Sequence, residues 1–154
     1  SIAILLYLAR KFKTPDHWYP SDLQKRARVD EYLSWQHITI RAKGSKVFLF
    51  KVLLPLLTVD PLPPEKMEGV IADLNFVLKQ FEEKFLQGKP FIAGNEVSLA
   101  DLVALVELMQ PVGAGYNLFE DKPRLAEWRE RVEEAVGKQL FQEAHEGILN
   151  IKNV

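Results

Sequence analysis

Ser98-Leu99-Ala100-Asp101-Leu102-Val103-Ala104-Leu105-Val106-Glu107-Leu108-Met109 is the stretch on which the fold turns. A serine followed three positions later by an acid, just ahead of a long apolar run, reads as a helix start. The Ser98 hydroxyl can accept from the backbone N–H three residues on, while the Asp101 carboxylate reaches back to the cap N–H. Aspartate is shorter than the usual glutamate, so this box needs a tight first turn. A helix apolar on almost every side belongs at the centre of a bundle, where other helices cover all of it. Gly113 and Gly115 are expected to loosen its far end.

Working outward, helical periodicity recurs on both sides. Met67, Val70, Ile71, Leu74, Val77, Leu78, Phe81 and Phe85 fall at helical spacing, after the break at Pro61-Leu62-Pro63-Pro64 and before a cap signal at Gly88 and Pro90. Downstream, Pro123 suits the first turn of a helix that carries Leu125, Trp128, Val132 and Val136 and ends at Gly137. A last helix from Leu140 to Ile151 would turn Phe141, Ala144, Ile148 and Ile151 inward.

Nearer the start, a long helix opens at Ser21-Asp22 and can run to about Pro55, bent or divided at Gly44-Ser45. One of its stripes carries Leu23, Ala27, Asp30, Leu33, His37 and Ile40. Polar residues on an apolar stripe leave two readings. Either Asp30 and His37 are satisfied at the edge of a core, or this face lines a cleft or a subunit interface. Before it, Ser1 caps a short apolar helix that stops ahead of Thr14-Pro15, and the proline- and aromatic-rich connector to Pro20 is the best candidate for a domain boundary. No stretch sustains period-two alternation and no internal repeat is visible, so the fold class is all-α.

Composition narrows the function classes. The 154 residues are 47% hydrophobic and 27% charged, which predicts a globular domain, and the formal net charge of -1 argues against a nucleic-acid or anionic-membrane partner. The local clusters Lys25, Arg26, Arg28 and Arg41, Lys43, Lys46 read as solvated helix faces. With no cysteine, the chain has no disulfide, no Cys-ligated zinc and no thiol nucleophile. The apolar opening lacks an initiating Met, a basic flank and a cleavage site, and it is too short to span a bilayer, so we expect it to be the interior of a longer protein.

A self-contained active site is not legible. His17, His37 and His145 have no partner at metal-ligand spacing, and no phosphate loop or nucleophile elbow is present. Adjacent acids such as Asp30-Glu31 and Glu82-Glu83 point to different sides of a helix and read as surface groups.

Longer motifs do carry a resemblance. Asn95 to Leu102, preceded by Phe85-Leu86 and Phe91-Ile92-Ala93-Gly94, resembles the capping-box segment of cytosolic glutathione transferases. Arg26-Ala27-Arg28-Val29-Asp30-Glu31-Tyr32-Leu33 with Trp35-Gln36-His37, Glu107-Leu108-Met109-Gln110-Pro111-Val112, and Leu140-Phe141-Gln142-Glu143-Ala144-His145 are similar to the theta class. The resemblance covers almost the whole chain.

It implies a helical bundle of the glutathione transferase C-terminal type, preceded by the last helix of a thioredoxin-like domain. Residues 1–14 would be the end of that domain, 15–21 a linker and 22–154 the helical domain without its final segment. The parent enzyme would conjugate the glutathione thiolate to small electrophiles such as alkyl halides, epoxides or sulfate esters, in detoxification, as a cytoplasmic homodimer. Glutathione is then a co-substrate, with no cofactor, metal, nucleic-acid or membrane partner implied. The catalytic serine would lie upstream of Ser1, so the chain alone is expected to be inactive. By the same resemblance, Ser1 and Arg41 would bind glutathione, and Ser98 with Asp101 would be a structural cap. Some members carry an Asp three residues before that arginine, whereas Ile38 stands here. The alternative is a non-catalytic helical domain that serves as a protein-docking module.

Overall fold

A computed structural model describes residues 1–57 and 62–151, all of them in helices, turns and irregular segments with no strand among them. The helices are α1 (Ile2–Lys11), α2 (Leu23–Ile38), α3 (Ile40–Phe48), α4 (Leu54–Leu57), α5 (Pro64–Gln80), α6 (Leu99–Gly113), α7 (Pro123–Val136) and α8 (Lys138–Leu149). Wider π-helical turns at Leu49–Leu53 and Phe81–Leu86 extend α3 and α5.

The central helix is the one the capping motif predicts. Helix α6 buries Leu99, Ala100, Val103, Ala104, Leu105, Leu108 and Met109, and α2, α3, α7 and α8 all pack against it. Its first turn holds together as a unit. The Asp101 carboxylate is fully buried and accepts four hydrogen bonds: from the Ser98 N–H (3.0 Å), the Ser98 hydroxyl (3.0 Å), the Ile92 N–H (2.9 Å) and the Trp128 indole N–H (2.9 Å). One side chain thus fastens three pieces of chain: the start of α6, the loop before it and helix α7. Burial pushes its pKa up from the ordinary aspartate value, and the four donors pull it back down.

Around this centre sits one aromatic cluster. Tyr32 of α2 meets Phe81 and Phe85 edge-on, and Phe81 in turn meets Trp128 of α7. The core face of α2 is Val29, Tyr32, Leu33 and Gln36, continued in α3 by Ile40. Leu23 and Ala27, expected on the same stripe as Leu33, are exposed. Within this core the Tyr32 hydroxyl and both amide heteroatoms of Gln36 have no hydrogen-bonding partner among the described residues.

The long helix divides at Thr39, five residues before the expected Gly44-Ser45. Thr39 leaves the helical region (φ −116°, ψ −92°) and its hydroxyl donates to the Trp35 carbonyl at 2.6 Å. A β-branched hydroxyl that bonds back along the helix competes with the backbone ladder. Gly44 lies inside α3 instead, buried against Pro111 and the Glu107 carbonyl of α6.

The far end of α6 also departs from expectation. Gly113 does not loosen the helix; it is a close-approach site. A Cβ placed there would collide with the Ile148 carbonyl oxygen of α8. In α8 the inward residue is His145, not Ala144. Its Nδ1 donates to the Phe141 carbonyl (2.8 Å), and its ring packs on Phe141 with centroids 4.3 Å apart. Pro123 and Gly137 bracket α7 as expected, while Pro61 lies outside the described residues.

Candidate functional site: a cleft between the first two helices

The cleft is assembled from three short-range decisions of the chain. Helix α1 begins at Ser1, which takes the N-cap position without a side-chain cap bond and has no acid in the turn that follows. The connector brings Tyr19 back over α2. The break at Thr39 then redirects the chain so that Arg41, four residues beyond His37, faces the same space. Together Ser1, Ile2, Ala3, Leu6, Tyr19, Asp30, Leu33, Ser34, His37 and Arg41 line a pocket of about 570 Å³. The stripe that the sequence left ambiguous is therefore a cleft wall: Asp30, Leu33 and His37 all face it.

Both residues singled out for a ligand, Ser1 and Arg41, lie on this one pocket although they are far apart in sequence. Ile38, where some theta enzymes carry an acid, is exposed and is not among the lining residues. Ser98 and Asp101 are buried in the bundle and line no part of the cleft.

Two groups that sequence reasoning missed shape the site. Tyr19 donates to both carboxylate oxygens of Asp30 at 3.1 and 3.3 Å, and the guanidinium groups of Arg10 and Arg26 sit 5.2 and 4.9 Å from its ring centre. Burial, then the bond to Asp30, raises the phenol pKa, so Tyr19 stays a protonated donor. The second is Glu107 of α6, whose carboxylate lies 3.8 Å from the Arg41 Nε and accepts from Gln110 at 2.8 Å. Burial raises the Glu107 pKa, and Arg41 opposes that rise. At 3.8 Å, with Arg41 nearly half exposed, the pair is loose and leaves the guanidinium edge open to another carboxylate.

Chemically, the cleft offers an uncapped helix start, a hydroxyl and a bidentate cation. Unpaired first-turn N–H groups and the helix dipole favour negative charge there. It offers neither an activated nucleophile nor a metal set: no group of three or more metal-binding side chains occurs among the described residues.

The chain matches the family model for the glutathione S-transferase C-terminal domain over residues 50–135. It is 66% identical over 152 residues to glutathione S-transferase theta-1 of Gallus gallus, a match covering 99% of this chain and 58% of that one. Human glutathione S-transferase T1-1 in its apo form superposes with a TM-score of 0.96 at 55% identity, over 99% of this chain and 64% of the other. Human theta-2, solved in complex with glutathione and an unknown ligand, superposes at 0.93 with 54% identity, over 97% and 61% of the two chains. The chain thus belongs to the glutathione S-transferase family, and within it to the theta class. It spans less than two thirds of the length of these relatives.

Proposed function

We propose that the cleft is the part of a glutathione site supplied by this chain, with Ser1 and the start of α1 holding one end of the tripeptide and Arg41 gripping a carboxylate. The observation that carries this reading is the convergence of Ser1, Arg41 and an uncapped helix start on one pocket. Glutathione carries two carboxylates and one ammonium, so a cation beside a helix N-terminus complements its acidic ends, and Asp30 supplies the opposite charge nearby. The parent protein then conjugates the glutathione thiolate to small electrophiles such as alkyl halides, epoxides or sulfate esters. Glutathione is co-substrate rather than cofactor, and the enzyme works as a cytoplasmic homodimer in detoxification. The docking-module alternative has no counterpart among the relatives above, which all carry transferase names.

The domain division proposed is residues 1–14 for the end of a thioredoxin-like domain, 15–21 for the linker and 22–154 for the helical domain. An apolar face of α1 supports it: Ile4, Tyr7 and Leu8 are exposed, as is Phe12 just beyond its end, as they would be on a helix whose own domain lies elsewhere. In addition, no helix among the described residues is long and apolar enough to cross a membrane.

The test is Arg41→Ala in the full-length protein. The apparent constant for glutathione should rise about tenfold, which corresponds to losing roughly 1.4 kcal/mol from one charge-assisted contact. Arg41→Lys should recover little of it, because an ammonium cannot reproduce the two-pronged grip. An unchanged constant would show that Arg41 faces the cleft without touching the ligand.

A further inference from the structure

A second pocket, of about 240 Å³, shares no residue with the cleft. It is walled by the turn Leu86–Pro90 and by one face of α7, where Arg124, Glu127 and Arg131 stand at helical spacing. The turn is tight, with Gln87 at φ 50° and Gly88 at φ 88°, and a Cβ on Gly88 would meet nothing within 4 Å. The wall is therefore open where the backbone passes.

Its charges are not balanced. Lys89 donates to the Ile92 carbonyl at 3.1 Å and Arg131 donates to the Pro90 carbonyl at 3.1 Å, so carbonyl oxygens fix both cations in place without neutralising them. Glu127 reaches Arg131 only at 3.8 Å and is 66% exposed, a contact worth little in water. Arg124 makes no ion pair among the described residues. Beside the turn, Glu31 is already shared between Arg28 (3.4 Å) and Lys84 (3.2 Å). The pocket lining thus carries three cations, Lys89, Arg124 and Arg131, against one acid, Glu127, and the nearby Glu31 is already taken. Behind them Asp101 also acts on Lys89, but its carboxylate already accepts four hydrogen bonds inside the bundle. The Lys89 ammonium is accordingly held below its ordinary pKa, by burial first and then by the Arg28 charge. The first turn of α7, at the mouth of this pocket, carries no acid.

Gathering like charges in a concave, partly desolvated place costs energy that an anion would recover. Two guanidinium groups suit an oxyanion, whose oxygens they can meet in pairs. We propose that this pocket is a binding site for a tetrahedral oxyanion of the phosphate or sulfate type, separate from the cleft and independent of the glutathione reading.

The experiment is calorimetric titration of inorganic phosphate and of sulfate into the full chain, with chloride holding ionic strength constant. Saturable binding at one site per chain is expected. Arg124→Gln should weaken it roughly fivefold, as loss of one such contact implies. Arg124→Glu should abolish it, and Arg41→Ala should leave it within about twofold. Because Arg124 is exposed and makes no ion pair among the described residues, its replacement leaves the fold intact, which an unchanged melting curve would verify. Absence of saturable binding at fixed ionic strength overturns the proposal. So does binding that is lost with Arg41→Ala and kept with Arg124→Glu, since the anion would then sit in the cleft.

Discussion

The start of α6 and the cleft beside α1 are built from the same kinds of group, a serine, an acid and a helix N-terminus, and they come out opposite. At α6 the Ser98 N–H and hydroxyl, the Ile92 N–H and the Trp128 indole all close on Asp101, and nothing of that carboxylate reaches solvent. At α1 the Ser1 side chain makes no cap bond, no acid stands in the first turn, and Arg41, which lines the same pocket, is nearly half exposed. A closed polar set supplies cohesion because every donor has already found its acceptor. An open one contributes little to folding and leaves its valences for a ligand. The two sites differ in whether the protein itself completes them.

The largest effect that would test this contrast is at Asp101. Asp101→Ala strands the Ile92 and Trp128 donors and the Ser98 N–H inside the bundle, at about 1–3 kcal/mol each, and the thermal midpoint should drop steeply. Ser98→Ala should cost less, about 1–2 kcal/mol. The double variant should cost less than the sum, because the two residues act as one unit. A melting curve unmoved by Asp101→Ala, with turnover lost in the full-length enzyme, would show that the contrast is drawn the wrong way round.

A smaller effect probes Glu107, which stands between the two regions. Its pKa in the folded protein is raised above the ordinary glutamate value, so the folded state holds that proton more tightly than the unfolded chain does. The stability it contributes is complete below about pH 4.5 and is lost as pH rises through the folded-state value. Glu107→Gln should therefore raise the thermal midpoint at neutral pH relative to the parent, and the gain should vanish near pH 4. A gain of equal size at both pH values would mean that charge burial is not the cause. Smallest of all, Arg41→Ala should move the thermal midpoint by no more than about 0.5 kcal/mol equivalent, as expected for a loose, exposed ion pair. If it destabilised the chain strongly, the cleft would prove to be part of the structural framework.

How far the sequence could be read follows the same division. The α6 start, the α5 stripe and the Pro123-to-Gly137 helix were legible because capping and periodicity are local, and local chemistry decides them. Trp128 as a partner of Asp101 was not, since a contact across 27 residues leaves no spacing signal. The break falls at Thr39 and not at Gly44-Ser45 because a hydroxyl bonding back to Trp35 competes with the helix ladder, while Gly44 is held inside α3 by its packing on α6. Apolarity points to Ala144 as the inward residue, yet His145 takes that place because its ring nitrogen is satisfied within its own helix. At the cleft, the mixed stripe of Asp30 and His37 signalled a wall without saying what it faced. Ser1 and Arg41 were named only through resemblance to a family. Tyr19 and Glu107 come from other elements, and no sequence pattern ties them to that stripe.

Gly113 fixes something that the rest of the packing does not. Helix α8 buries only Phe141 and His145 fully, and at Gly113 its main chain approaches α6 through space that any methyl would occupy. A side chain here would lever one helix off while α2, α3 and α7 kept their seats on the same central rod. The lesion would be local unfolding rather than a general loss of core, with residues 138–149 released as a cooperative unit and open to proteases. On a central helix that takes neighbours on every side, the seat of α8 requires the absence of a single carbon atom at Gly113.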